Sequence, residues 1–124
     1  NGIKHPIYKN KDKKFNSPAF NFDEVVKIPD KGICLASNKI NKVQGLYFEV
    51  NKTKIWGLQY HPEITYEKMI NLIEFRKERL IESRKVFKDD TEVQKHIAFI
   101  KKEISVSDKE KRMLELKNWL NELN

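Results

Sequence analysis

Two kinds of hydrophobic spacing divide the chain. Up to about residue 63 the apolar residues come in short words separated by polar and turn-forming residues; beyond residue 65 they recur every three or four positions. In the first region Ile3, Ile7 and Tyr8 form a brief apolar word, and the lysine-rich stretch 9–14 reads as a solvated loop. Val25, Val26 and Ile28 then run into Pro29-Asp30-Lys31-Gly32. Proline presets one turn torsion there and glycine is free to take positive φ, so the chain is expected to reverse. A short apolar strand is expected over 33–37, closed by the polar run 38–42. Residues 43–50 and 55–60 are rich in β-branched and aromatic side chains with polar residues between them, which predicts a hairpin.

In the second region Met69, Leu72, Ile73, Leu80 and Ile81 follow a helical period and predict a helix over about 66–85. Asp89 and Glu92 have the spacing of a capping box ahead of Val93, Ile97, Ile100 and Ile104, a second helix. Ser107 with Glu110 repeats that spacing ahead of a third, whose expected buried stripe is Met113, Leu116, Leu120 and Leu123. Strands and then helices, without regular alternation, suit an α/β fragment whose earlier β-α units lie elsewhere. The expected organisation is one domain, strand-rich over 1–64 and helical over 65–124.

Composition narrows the function classes. A chain of 124 residues with 39% hydrophobic content makes one domain or a large piece of one. The net charge of +7 comes from 25 basic and 18 acidic residues, heavy use of both signs that favours a salt-laced surface over a polyanion groove. The loop lysines lack interleaved aromatics, so no nucleic-acid partner is expected. No apolar run approaches the roughly 20 residues of a membrane span and no hydrophobic leader opens the chain, so neither a membrane partner nor export is expected. Cys34 is the single cysteine, which fits a reducing cytoplasm and reads as a small core hydrophobe. It offers no zinc pair, and His5 and His96 have no neighbours at metal-ligand spacing, so no metal or cofactor is expected. The opening residue is Asn1 and not methionine, which leads us to expect a trimmed, cleaved or excised product with sequence missing upstream.

The chemistry-bearing word is Gln59-Tyr60-His61-Pro62-Glu63, placed where a strand is expected to end. Pro62 drives His61 away from helical torsions, and in an extended segment side chains two apart project to the same side. A carboxylate beside an imidazole fixes its tautomer and stabilises the imidazolium, as a base needs when it takes a proton from a thiol or hydroxyl. From these residues alone a second reading stays open, in which His61 ends a strand and Glu63 begins a helix, where its charge suits the dipole.

The stretch from Val43-Gln44-Gly45 through Ile55-Trp56-Gly57-Leu58-Gln59-Tyr60-His61-Pro62-Glu63 resembles the C-terminal signature of class I glutamine amidotransferases. His5-Pro6-Ile7-Tyr8, Phe15-Asn16-Ser17-Pro18-Ala19, Asp23-Glu24-Val25, Ile28-Pro29, Leu35-Ala36-Ser37-Asn38 and the tail word Asn118-Trp119-Leu120 look like the branch similar to the amidotransferase domain of GMP synthase. The resemblance implies the C-terminal half of a flavodoxin-like (Rossmann-like) α/β amidotransferase fold. It implies hydrolysis of glutamine to glutamate and ammonia by a Cys-His-Glu triad, with His61 as base and acid and Glu63 orienting it. The nucleophile is missing from this chain, because Cys34 lacks the glycine-flanked elbow. In that branch a histidine and a glycine usually precede the aspartate matched by Asp23; here those positions are Asn21 and Phe22, which leaves Phe20 and Asn21 as substrate-binding candidates. The implied partners are glutamine and the missing N-terminal half, or a self-associated copy. The alternative is a non-catalytic amidotransferase-like binding or regulatory module.

Overall fold

The computed structural model describes residues 2–123; Asn1 and Asn124, the outer limits of the two expected regions, lie outside the described residues. In chain order come two 3-10 turns, Gly2–Lys4 and Pro6–Tyr8, then strands β1 (Ile33–Ala36), β2 (Gly45–Val50) and β3 (Thr53–Leu58). Helix α1 (Tyr66–Phe75), a π-helical turn (Arg79–Ser83), and helices α2 (Asp90–Val106), α3 (Lys109–Arg112) and α4 (Leu114–Glu122) follow. The chain is mixed α/β, its sheet antiparallel in the order β1-β2-β3. It forms two compact units, one made of Asn1–Glu63 with Lys109–Asn124 and the other of Ile64–Asp108. No described helix is long and apolar enough to cross a membrane.

In the first unit the hairpin closes tighter than its polar separator suggests. Val50 pairs with Thr53, so Thr53 and Lys54 belong to β3 and the turn is Asn51-Lys52 alone. Both residues have positive φ, 48° and 68°, which matches the handed twist a two-residue hairpin requires. Before β1 the positive φ expected at glycine falls instead on Lys31, at 62°. Gly32 is required for closeness: a Cβ there would sit 2.8 Å from the Pro29 carbonyl oxygen. The segment leading into that turn forms no strand, and Val26 is 89% exposed.

Ile7, Tyr8, Leu35 and Tyr60 form the buried core of this unit, with Phe15, Trp56 and Leu58 packed against it. Leu35 faces the core, and the pairing with β2 slips between Cys34 and Ala36, so strict alternation does not hold there. Cys34, expected in the core, is only half-buried, and its thiol donates to the carbonyls of Ala36 and Lys42, both at 3.4 Å.

The third helical segment departs further from its pattern. It breaks at Met113, and the residues it buries are Arg112 and Glu115, while Leu120 and Leu123 stay exposed. The reason lies across the unit. Lys11 and Tyr60 present a cation and a hydroxyl to Glu115, and Asn118 donates from Nδ2 to the carbonyls of Ile7 (2.9 Å) and Lys9 (3.0 Å). The polar side of α4 therefore faces inward.

The second unit is a pair of packed helices, α1 and α2. Thr65 caps α1 by accepting from the Lys68 amide at 3.1 Å. The helix expected through 85 ends at Phe75, and a π-helical turn follows before Lys85 takes a positive φ of 54°. Asp89 caps α2 as its spacing implies, accepting from the Glu92 amide at 3.0 Å, but the Glu92 carboxylate returns to the amide of Lys88. Val93, Ile97 and Ile100 are buried, and Ser107 closes α2 at its C-terminal end, where its amide donates to Glu103. Ser107 is thus the end of the second helix, in place of the start of the third.

Two substitutions test this description in urea denaturation. Lys52→Gly should stabilise the chain by about 1 kcal/mol, because it relieves a left-handed lysine in the hairpin turn. Gly45→Ala should destabilise it by about 1–3 kcal/mol, because its Cβ would meet the Tyr8 hydroxyl at 2.8 Å in a packed core.

Candidate functional site

Beyond β3 the chain bends at Gln59 and turns at Pro62 and Glu63, so the extended run expected over 61–63 is not formed. Tyr60 makes an antiparallel bridge to Ala19, the His61 amide donates to the Pro18 carbonyl at 2.7 Å, and the Gln59 amide donates to Gln44 at 2.8 Å. Segment 18–21 therefore lies along 59–61, and both of its flanking prolines, Pro18 and Pro62, are fully buried.

This pairing gathers the four candidate residues. The Phe20 ring lies 6.1 Å from the His61 imidazole, centroid to centroid, and Asn21 Nδ2 donates to Gln59 Oε1 at 3.1 Å. The Asn21 amide also reaches the Asp23 carbonyl at 3.1 Å and Asn41 Oδ1 at 3.4 Å, so its donors are turned onto the loop around it. His61 Nδ1 and Glu63 Oε1 are 2.8 Å apart. The carboxylate accepts, so Nδ1 carries the proton and Nε2 is the nitrogen left to exchange a proton with a reacting group. Both side chains are substantially exposed, 39% for His61 and 51% for Glu63, so the pair is open to a ligand.

Electrostatics favour the ionised carboxylate. Partial desolvation pushes the Glu63 carboxyl up, but the hydrogen bond from His61, a backbone hydrogen bond and the charges of His61 and Arg112 together hold it below the usual glutamate value.

Behind the pair lies a buried polar network that the hydrophobic pattern did not reveal. The Tyr60 hydroxyl donates to Glu115 Oε1 at 2.6 Å and lies 2.8 Å from the Tyr8 hydroxyl; Lys11 meets the same carboxylate at 2.8 Å. Burial is the main cause that raises both phenols, Tyr8 to about 12 and Tyr60 higher, so each remains protonated and able to donate. Arg112 donates to the Pro62 carbonyl at 2.8 Å, directly between His61 and Glu63. Arg112 and Glu115 look in sequence like solvated positions of a helix, and only their partners mark them.

His61 and Glu63 open on a cavity of about 360 Å³ whose far wall includes Trp56, Leu58 and Trp119. Cys34 lines a separate cavity of about 470 Å³ together with Tyr8, Ser17 and Gln44. Among the described residues no group of three or more His, Cys, Asp or Glu side chains is placed to hold a metal ion.

The mixed α/β architecture is compatible with an amidotransferase-like fold. Two curated relatives point the same way. The chain is 31% identical over 64 residues to gamma-glutamyl-L-1-hydroxyisopropylamide hydrolase of a Pseudomonas species, a match covering 52% of this chain and 21% of the relative. It is 37% identical over 68 residues to a subunit of the glutamine-hydrolyzing GMP synthase of Methanocaldococcus jannaschii, covering 54% of this chain and 35% of the relative. The matches thus span about a fifth and about a third of the curated relatives' lengths, and at low identity they support a relationship to class I glutamine amidotransferase-type proteins. No family model and no solved structure matches the chain.

The depressed Glu63 pKa fixes a pH window. A carboxyl whose folded value lies below its unfolded one contributes stability above the ordinary glutamate range and loses it as pH falls through the depressed folded value. A carbon-13 NMR titration should therefore place the Glu63 midpoint below that of an unfolded-chain glutamate. His61→Ala should move the midpoint upward, since it removes a hydrogen bond and a charge that oppose desolvation.

Proposed function

We propose that His61 and Glu63 supply the base and its orienting carboxylate for hydrolysis of a γ-glutamyl amide, glutamine first among them, to glutamate and ammonia. The observation that carries this reading is the 2.8 Å contact between His61 Nδ1 and Glu63 Oε1 across the turn at Pro62 and Glu63, half-exposed and flanked by Phe20. Similarity to a γ-glutamyl amide hydrolase and to part of a glutamine-hydrolysing synthase supports it.

In this reading a cysteine thiol supplied from outside the 124 residues gives its proton to His61 Nε2 and attacks the γ-carbonyl. The imidazolium, stabilised by Glu63, returns the proton to the departing nitrogen as ammonia leaves and a glutamyl thioester remains. Water, deprotonated by the same imidazole, then releases glutamate and regenerates the thiol. Phe20 and Asn21 border the substrate, Phe20 as a wall beside the imidazole and Asn21 through the backbone of the segment it fastens to Gln59.

Cys34 is left a structural role on this reading. The strand register supports it: Cys34 lies opposite Leu46, which lies opposite Gly57, so its backbone is two strand spacings, about 10 Å, from β3, and His61 comes four residues further along. The chain is then the C-terminal half of one amidotransferase domain, strand-rich over 1–64 and helical over 65–124, working in the cytoplasm with an N-terminal half that carries the cysteine.

Mixing the chain with the upstream part of its own gene product should restore glutamine hydrolysis, read as glutamate release. His61→Ala should lower kcat by on the order of 10³–10⁴-fold, the scale of a lost general base, and Glu63→Ala by less, because the imidazole survives without its orientation. Cys34→Ser should leave the rate intact. A complex that forms normally but is silenced by Cys34→Ser would overturn the assignment.

A further inference from the structure

We propose that Arg112 and Glu115 are positioning residues for the His61–Glu63 pair: Arg112 holds the Pro62 carbonyl between the two, and Glu115 holds the Tyr60 hydroxyl immediately before them. The catalytic meaning of this inference rests on the functional reading above; its geometry does not.

The two reactive side chains are too exposed to be fixed by packing, at 39% and 51%. Their mutual placement depends on the backbone of Tyr60, His61, Pro62 and Glu63. That backbone is gripped on one side by segment 18–21, through the Tyr60–Ala19 bridge and the His61 amide on Pro18. On the other side it is gripped by the C-terminal helices. Arg112, 8% exposed, donates from its guanidinium to the Pro62 carbonyl at 2.8 Å, and that carbonyl belongs to the peptide group that carries Glu63. Glu115, fully buried, accepts from Tyr60 at 2.6 Å and from Lys11 at 2.8 Å.

A buried carboxylate and guanidinium are a costly way to gain stability, since apolar residues of similar volume usually serve as well. What charged, hydrogen-bonded groups provide that apolar ones do not is direction. Here both are directed at the residues around His61, one at its N-terminal neighbour and one at its C-terminal neighbour. The charge of Arg112 also adds to the influences that keep the Glu63 carboxyl ionised. Orientation of this kind governs turnover steeply, because a displacement of about 1 Å in a reacting group costs on the order of 100-fold in rate.

The test reads the imidazole directly and needs no nucleophile. Nitrogen-15 NMR of the 124-residue chain, recorded at alkaline pH where imidazoles are neutral, should show the Nδ1–H tautomer held by Glu63. Arg112→Met should shift His61 toward the mixture of a free imidazole and raise the Glu63 midpoint, whereas Arg112→Lys, which keeps a charge and a donor, should restore most of the wild-type spectrum. Glu115→Gln, a near-isosteric change that spares the fold if Arg112→Met does not, should move the tautomer in the same direction by less. Folded variants of both residues with an unchanged His61 tautomer would overturn the proposal. In the reconstituted assembly Arg112→Met should lower kcat roughly 10- to 100-fold with KM little changed. A wild-type assembly without glutaminase activity would overturn the functional reading alone, and the NMR comparison would still decide the positioning role.

Discussion

A single buried carboxylate organises the larger unit. Glu115 is fully inaccessible, and an unpaired charge there would be prohibitive. It is satisfied only if the Lys11 ammonium and the Tyr60 hydroxyl both reach it, which draws three distant parts of the chain to one point: the lysine-rich loop, the end of the sheet and the last helix. Lys11 also lies over the Phe15 ring at 4.3 Å, so the same cation fastens the following segment. Removing one partner would leave the others buried and uncompensated, and for that reason the network behaves as a unit.

From that point outward the order of the site follows. Tyr60 is anchored by its hydroxyl and by its bridge to Ala19, so the next residue leaves the sheet in a set direction. Pro62 keeps His61 out of helical torsions, the chain turns at Pro62 and Glu63, and the Arg112 hydrogen bond fixes the Pro62 carbonyl. His61 and Glu63 then meet at 2.8 Å without being buried, an arrangement that combines a defined geometry with access for a ligand. Exposed pairs gain little stability from one another, so the frame beneath them matters more to their placement than their own attraction.

The second unit shows a simpler logic. Val93, Ile97 and Ile100 on α2 face the apolar side of α1, and the ion pair between Lys77 and Asp90 at 2.8 Å adds a solvent-side tie. Neither of the curated relatives matches much more than half of this chain, and the likeness to them is low in identity. The chemistry proposed for His61 and Glu63 therefore draws on the site geometry as much as on kinship.

The sequence by itself determined the features that depend on near neighbours. Alternation and β-branched residues located β1, β2 and β3; the helical period and Asp89 located α2; the His61-Pro62-Glu63 word marked two side chains that meet, although they do so across a turn at Pro62 and Glu63 and not along an extended segment. Tertiary structure decided what depends on partners far away in the chain. The periodic leucines of the last helix were not its buried face, because Lys11 and Tyr60, more than 50 positions upstream, supply partners for Glu115 that no local pattern records. The pairing of segment 18–21 with 59–61, which sets Phe20 beside His61, also joins residues some 40 apart and rests on backbone hydrogen bonds that carry no residue signature. Local periodicity reports which face of an element can be buried, whereas the identity of the group that covers it is fixed only when the chain closes on itself.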